Sequence, residues 1–142
     1  MSLKATTKGS KIEFLTTKRS PAYGQNGAVT SPHYWATQAG KEMLEKGGHA
    51  VDAAITINAV LNIVYPHMSG LGGDLMALIY DHSTEEITEM NGSGQAGENI
   101  SLETFDGYDE IPERGPKSAL TVPGAVGARW ELHQKYGKFA IF

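Results

Sequence analysis

The apolar residues of this chain fall into short runs whose spacing changes along its length. Tyr34, Trp35, Ala39, Met43 and Leu44 recur near the helical period. Ser31-Pro32 ahead of them predicts a helix start, with the serine as N-cap and the proline at the first helical position. The spacing carries that helix to about Lys46. Gly47-Gly48 then ends it, because glycine tolerates the left-handed conformation that follows a helix. A second helix is predicted over about Val51 to Val64. Val51, Ala54, Ile55, Ala59, Leu61 and Ile63 leave little of it polar, and a helix apolar on most sides is expected to be buried on most sides. Pro66 stops it. Ser69 to Asp74 is a glycine-rich turn. Leu75 to Tyr80 is a continuous apolar run, which suits a strand buried on both faces. Asp81 to Glu85 predicts a hairpin turn, with Glu86 to Met90 as the returning strand.

The flanking segments are less regular. Residues 1–27 are polar apart from Ile12 to Leu15 and predict a strand or tie-down arm; Ala28 to Thr30 predicts a short strand. After the hairpin, Asn91 to Gly97 reads NGSGQAG, a flexible segment. Ser101 to Phe105 predicts a short helix, and Asp106 to Lys117 a polar loop. Ser118 to Val122 is a strand candidate, and Pro123-Gly124 turns the chain into a helix from about Ala125 to Tyr136. Phe139 to Phe142 then begins something apolar and stops. There is no internal repeat, low-complexity tract or break in composition. The expected organisation is an arm at 1–27 and a domain portion at 28–142, the whole reading as truncated or as one piece of a larger protein.

Composition narrows the function. A chain of 142 residues with 40% hydrophobic residues supports one modest domain. The net charge of -4 and the scattered lysines and arginines argue against a nucleic-acid partner, which would require a basic patch. With no cysteine, disulfides, thiolate metal sites and a cysteine nucleophile are excluded. No apolar run approaches the roughly 18–20 residues of a membrane span. The N-terminal lysines precede no apolar stretch of the kind a signal peptide needs. A cytoplasmic setting is the expectation, with an exported protein that has shed its leader as the alternative.

Several sites for chemistry can be weighed against plainer roles. The turn His67 to Asp74, HMSGLGGD, lacks the spacing of a phosphate-binding loop and precedes a strand, whereas phosphate sites use a helix N-terminus. Its glycines are better read as allowing a tight turn, with nucleotide binding the lesser reading. His33, His49, His67, His82 and His133 form no closely spaced ligand pair, so no metal site is expected. Neither Ser69 nor Ser93 sits in a G-x-S-x-G nucleophile elbow. Glu85-Glu86 and Asp109-Glu110 look like solvated carboxylates rather than an acid–base pair. NGSGQAG remains, because glycine-flanked polar side chains just after a strand are well placed to meet a ligand. A plain solvent loop fits the local residues equally well.

Several motifs, in order, resemble the start of the large subunit of gamma-glutamyltransferases. They are Val29-Thr30-Ser31-Pro32-His33, Gly47-Gly48-His49-Ala50-Val51-Asp52-Ala53-Ala54, Pro66 to Gly73, Thr121-Val122-Pro123-Gly124 and Tyr136-Gly137-Lys138. The resemblance covers about residues 24–138. It implies an α+β fold, the αββα sandwich of N-terminal-nucleophile hydrolases, of which this chain would hold part. It also implies a proenzyme that cuts itself in two. The freed N-terminal threonine of the downstream small subunit then attacks a gamma-glutamyl amide such as that of glutathione, with its own amine as base. No organic cofactor or metal is implied, and no threonine here lies in the cleavage context, so no catalytic residue is expected in this chain. The family's substrate-gripping segment, D-x-R-E-x-A-P, corresponds by spacing to Asn91–Gly97, and its arginine position falls on Ser93. A neutral hydroxyl cannot make the bidentate, charge-assisted bond that arginine makes to a carboxylate. The loss should cost about 1.5–3 kcal/mol of recognition. Asn91, Ser93 and Gln95 are thus the expected substrate contacts. An amidohydrolase of the cephalosporin-acylase-like kind, or a non-catalytic binding module, competes with a true gamma-glutamyl enzyme.

Overall fold

The computed structural model describes residues 20–118 and 120–140. The expected apolar arm at Ile12 to Leu15 lies outside the described residues. Helix α1 spans Tyr34–Glu45 and α2 spans Ala50–Val64. Strands β1 (Leu75–Asp81) and β2 (Glu86–Gly92) follow, and α3 spans Ala125–Tyr136. Single 3-10 turns occupy Leu102–Phe105 and Pro116–Ser118.

Helix α1 starts later than its sequence signal. His33, not Ser31, is the N-cap, and its Nδ1 accepts from Trp35 N–H at 3.3 Å. Ser31 instead accepts weakly from His33 N–H at 3.4 Å and its Oγ sits 2.7 Å from Thr37 Oγ1. Both residues offer an acceptor, and the serine is used to shape the approach to the helix. At the other end Gly47 takes φ +91, the left-handed conformation expected of the stop. Helices α1 and α2 pack closely through small residues, Ala36 and Gly40 being buried in α1 and Ala53 in α2.

The hairpin is antiparallel, running from Leu75↔Gly92 to Asp81↔Glu86. It differs from expectation in its burial. Leu75, Ala77 and Ile79 are half-buried, while Met76, Leu78 and Tyr80 are 72%, 78% and 59% exposed. A strand has two faces, and among the described residues only one is covered, by α3 and the adjoining α2. The outer face is apolar and open. Helix α2 departs in the same way: Val51, Asp52 and Ala53 are buried, but Ala54, Ala59 and Ile63 are exposed. The two short strands expected at Ala28–Thr30 and Ser118–Val122 are absent among the described residues. Only an isolated bridge joins Thr121 to Ala96. β-branched residues there have no full partner strand to pair with.

One buried carboxylate ties the helices together. Asp52, 4% exposed, sits three residues after the α2 N-cap His49 and accepts from its N–H at 2.7 Å. The same carboxylate accepts from the Lys138 and Phe139 N–H groups, at 3.1 and 3.4 Å. Lys138 Nζ also donates to the Gly47 carbonyl at 2.7 Å. Burial pushes the Asp52 pKa up, but the three backbone donors outweigh it and hold the carboxyl below its ordinary value. The conserved-looking pairing of an AVDAA stretch with a YGK stretch therefore has a local physical cause: the aspartate of one caps its own helix and receives the backbone of the other.

Candidate functional site

Three segments read separately from the sequence converge beside the start of α3. The turn before β1 contributes the Gly73 carbonyl, which accepts from Ala125 N–H at 3.0 Å. The segment after β2 runs beside Leu120–Gly124: Gln95 O accepts from Val122 N–H at 2.8 Å, and Gly97 N–H donates to Leu120 O at 3.2 Å. The fit depends on missing side chains. Gly94 has φ +81, and a Cβ there would lie 1.8 Å from the Val122 carbonyl oxygen. A Cβ on Gly92 would lie 2.4 Å from that of Ala128, so α3 can rest on β2 only where β2 has no side chain.

Within this junction Asn91 and Ser93 form one unit. Asn91 Oδ1 accepts from the Ser93 N–H at 3.1 Å and from its Oγ–H at 2.5 Å. This is an Asx turn, in which a side-chain carbonyl imitates the backbone. Asn91 ends β2 opposite Met76, on the open face of the sheet. There it lines a shallow hollow of about 490 Å³ together with Met76, Ala77, Leu78, Glu89 and Met90. Gln95 is not joined to the pair. Its backbone carbonyl holds the Leu120–Gly124 segment, while its side chain is exposed and makes no hydrogen bond among the described residues.

No group of histidine and carboxylate side chains among the described residues could hold a metal. The arginine nearest in sequence to the junction, Arg129, lies on the other side of the sheet. It lines a hollow of about 400 Å³ between α2 and β1, with Asn58 and Leu132. Its Nε is buried with no hydrogen-bond partner among the described residues, and burial pulls the guanidinium pKa below its ordinary value. No helix among the described residues is long and apolar enough to cross a membrane.

Sequence reasoning found Asn91 and Ser93 but missed their partners in Gly73 and Leu120–Gly124. The glycines were visible; their convergence was not, because the three segments are far apart in the chain. It also gave Asp52 no role, although an aspartate three residues after an N-cap position has the spacing of a capping box.

A family model described as Gamma-glutamyltranspeptidase matches residues 36–141. The glutathione hydrolase-like YwrD proenzyme of Bacillus subtilis is 44% identical over 118 residues, covering 83% of this chain and 22% of that protein. The oxamate amidohydrolase proenzyme of Klebsiella pneumoniae is 42% identical over 101 residues, covering 71% of this chain and 19% of that protein. Among solved structures, the gamma-glutamyltranspeptidase from Pseudomonas nitroreducens complexed with L-DON superposes with a TM-score of 0.72 at 28% identity, covering 82% of this chain and 36% of that one. The chain spans about a fifth of the length of these curated relatives.

Proposed function

The chain belongs to the gamma-glutamyltranspeptidase family, and from that premise we propose that it is the N-terminal part of the large subunit of an autoprocessed acyl-transfer enzyme acting on gamma-glutamyl amides. Its α+β fold is that of the N-terminal-nucleophile hydrolases, of which the described residues form three helices and one hairpin. The open apolar face of the hairpin supports the larger assembly. Contiguous exposed apolar surface marks an interaction face, and a second sheet supplied by the rest of the protein would cover it.

In this reading the nucleophile is a threonine of a downstream small subunit. Its hydroxyl oxygen attacks the amide carbon while its own α-amine takes the proton. The C–N bond breaks, and the proton leaves with the amine. Water or an acceptor amine then attacks the ester and restores the hydroxyl. The present chain supplies scaffold and one wall of the acyl pocket, with Asn91, Ser93 and Gln95 as contacts. The observation that carries this is the Asn91–Ser93 turn, held rigid at the glycine junction and facing a hollow on the open sheet face. Its support from relatives lies in their names, which pair proenzymes with glutathione and oxamate hydrolysis.

A second reading rests on the neutral residue at Ser93. An amidohydrolase of the same family, acting on acyl amides that lack an α-carboxylate, needs no cation at that place. One experiment tests the common core of both readings. The protein is purified as its gene encodes it, and its denatured masses are measured before and after an amide substrate. Two chains, the smaller opening with threonine and gaining an acyl mass, are expected. A single uncut chain that gains no mass would leave only a non-catalytic binding module.

A further inference from the structure

Resting on that enzyme reading, we propose that the Asn91–Ser93 turn selects an acyl group presenting a neutral carboxamide and discriminates against one presenting a carboxylate. The argument is an accounting of protons. The Ser93 backbone N–H can only donate, so the Asn91 atom facing it is Oδ1, and the orientation of the amide is thereby fixed. The Ser93 hydroxyl lies 2.5 Å from that same oxygen, which can only accept. Its one proton is therefore committed to Asn91. What Ser93 Oγ has left for a ligand is lone pairs, and what Asn91 has left is the N–H pair of Nδ2.

A ligand reaching across the turn thus meets an acceptor at residue 93 and a donor at residue 91. A carboxamide answers both: its N–H to Oγ and its carbonyl to Nδ2. A carboxylate offers acceptors only. It satisfies Nδ2 but sets an oxygen against the lone pairs of Oγ, and turning the hydroxyl to donate would break the short bond within the turn. The neighbourhood adds to the discrimination. Glu89 is the only charged residue lining the hollow that contains Asn91. Asp74 and Ser93 are the residues next beyond the Leu75↔Gly92 pair that closes the ladder. Anions near the site and no paired cation there disfavour a carboxylate. The turn has little freedom to readjust, because Gly94 lies against the Val122 carbonyl and the following residues are bonded to Leu120–Gly124.

The test uses three p-nitroanilides of the same five-carbon chain, ending in a carboxamide, a carboxylate or the gamma-glutamyl amino acid, on the full processed protein. For the wild type, kcat/KM for the carboxamide is expected to exceed that for the carboxylate at least tenfold. Ser93→Arg should reverse the order, and Ser93→Ala should lower the carboxamide value about tenfold, with both variants melting like the wild type. A wild type that takes the carboxylate or gamma-glutamyl donor equally well or better overturns the selection while leaving the enzyme reading in place. No cleavage of any anilide, together with no acyl mass on the small chain, overturns the enzyme reading and the selection with it.

Discussion

At the turn end of the hairpin, Asp81 Oδ1 accepts from the Ser83 N–H at 2.8 Å and from its Oγ–H at 2.7 Å. At the open end Asn91 Oδ1 receives the same two bonds from Ser93. The local device is the same, an acidic or amide side chain folded over a serine two residues on. Its surroundings differ. The Asp81 turn is fully exposed, carries a charge and closes a hairpin, with Glu85 taking φ +57 to complete the bend. The Asn91 turn is neutral and clamped between Gly73, Leu120–Gly124 and the start of α3. An Asx turn by itself therefore marks no site. What separates the two is rigid backing and an outward-facing donor and acceptor, which only the second has.

The clamp can be broken directly, and this should give the largest effect. In Gly94→Ala the new Cβ must displace the Val122 carbonyl and hold a left-handed backbone. The two costs together come to roughly 4 kcal/mol. Chemical denaturation should register that loss, whereas alanine at the exposed Thr84 of the other turn should change stability by less than about 0.5 kcal/mol. Equal effects at the two positions would mean that the junction is no more rigid than the hairpin turn.

Next in size is Asp52, whose loss would loosen the helices from the far side. Asp52→Ala leaves three backbone N–H groups without their acceptor and should cost about 3 kcal/mol. Its pH dependence has a definite sign. The folded carboxyl titrates below the ordinary 3.8, so the stabilisation is complete above that pH and is lost as pH falls through the lower folded value. The difference between wild type and Asp52→Ala should shrink in acid. A gap that stays constant down to pH 2 would show that the carboxylate's charge plays no part.

These two anchors were unequally legible in the sequence. The helix stops at Gly47 and Pro66, the hairpin, and the turn into α3 follow from local rules, because glycine, proline and period report on their own neighbourhoods. Asn91 and Ser93 could be named because a glycine-flanked polar segment follows a strand. The junction could not, since Gly73, Gly94 and Gly124 meet only after the chain has folded. The reading of β1 as doubly buried went wrong for a related reason: an apolar residue on each face of a strand reports what both faces prefer, while the described residues cover one. The N-cap was misplaced because Ser31 and His33 offer the same chemistry two residues apart.

A smaller change should exchange the character of the two turns. Asn91→Asp keeps the oxygen that Ser93 bonds but replaces the outward Nδ2 donor with a carboxylate oxygen, making this turn a copy of the one at Asp81. Stability should stay within about 0.5 kcal/mol, while kcat/KM toward a carboxamide-bearing acyl donor should fall roughly tenfold, the worth of about one hydrogen bond. Unchanged kinetics would remove Asn91 from the acyl pocket.

The reciprocal change, Asp81→Asn, should be the mildest. Bonds from the Ser83 hydroxyl and backbone hold the Asp81 carboxyl below its ordinary value of 3.8. A lowered folded pKa contributes stability that is present above the unfolded value and lost as pH falls through the folded one. Asparagine keeps the acceptor oxygen and gives up the charge. The variant should therefore unfold at slightly lower denaturant than wild type at pH 7 and at the same denaturant below about pH 3, with activity unaltered throughout. Because the group is fully exposed, solvent screening keeps the pH 7 difference small. A loss of activity in Asp81→Asn, with the fold intact, would undo the contrast between the ends, since it would give the solvent-facing turn a part in the chemistry that the clamped turn is proposed to hold alone.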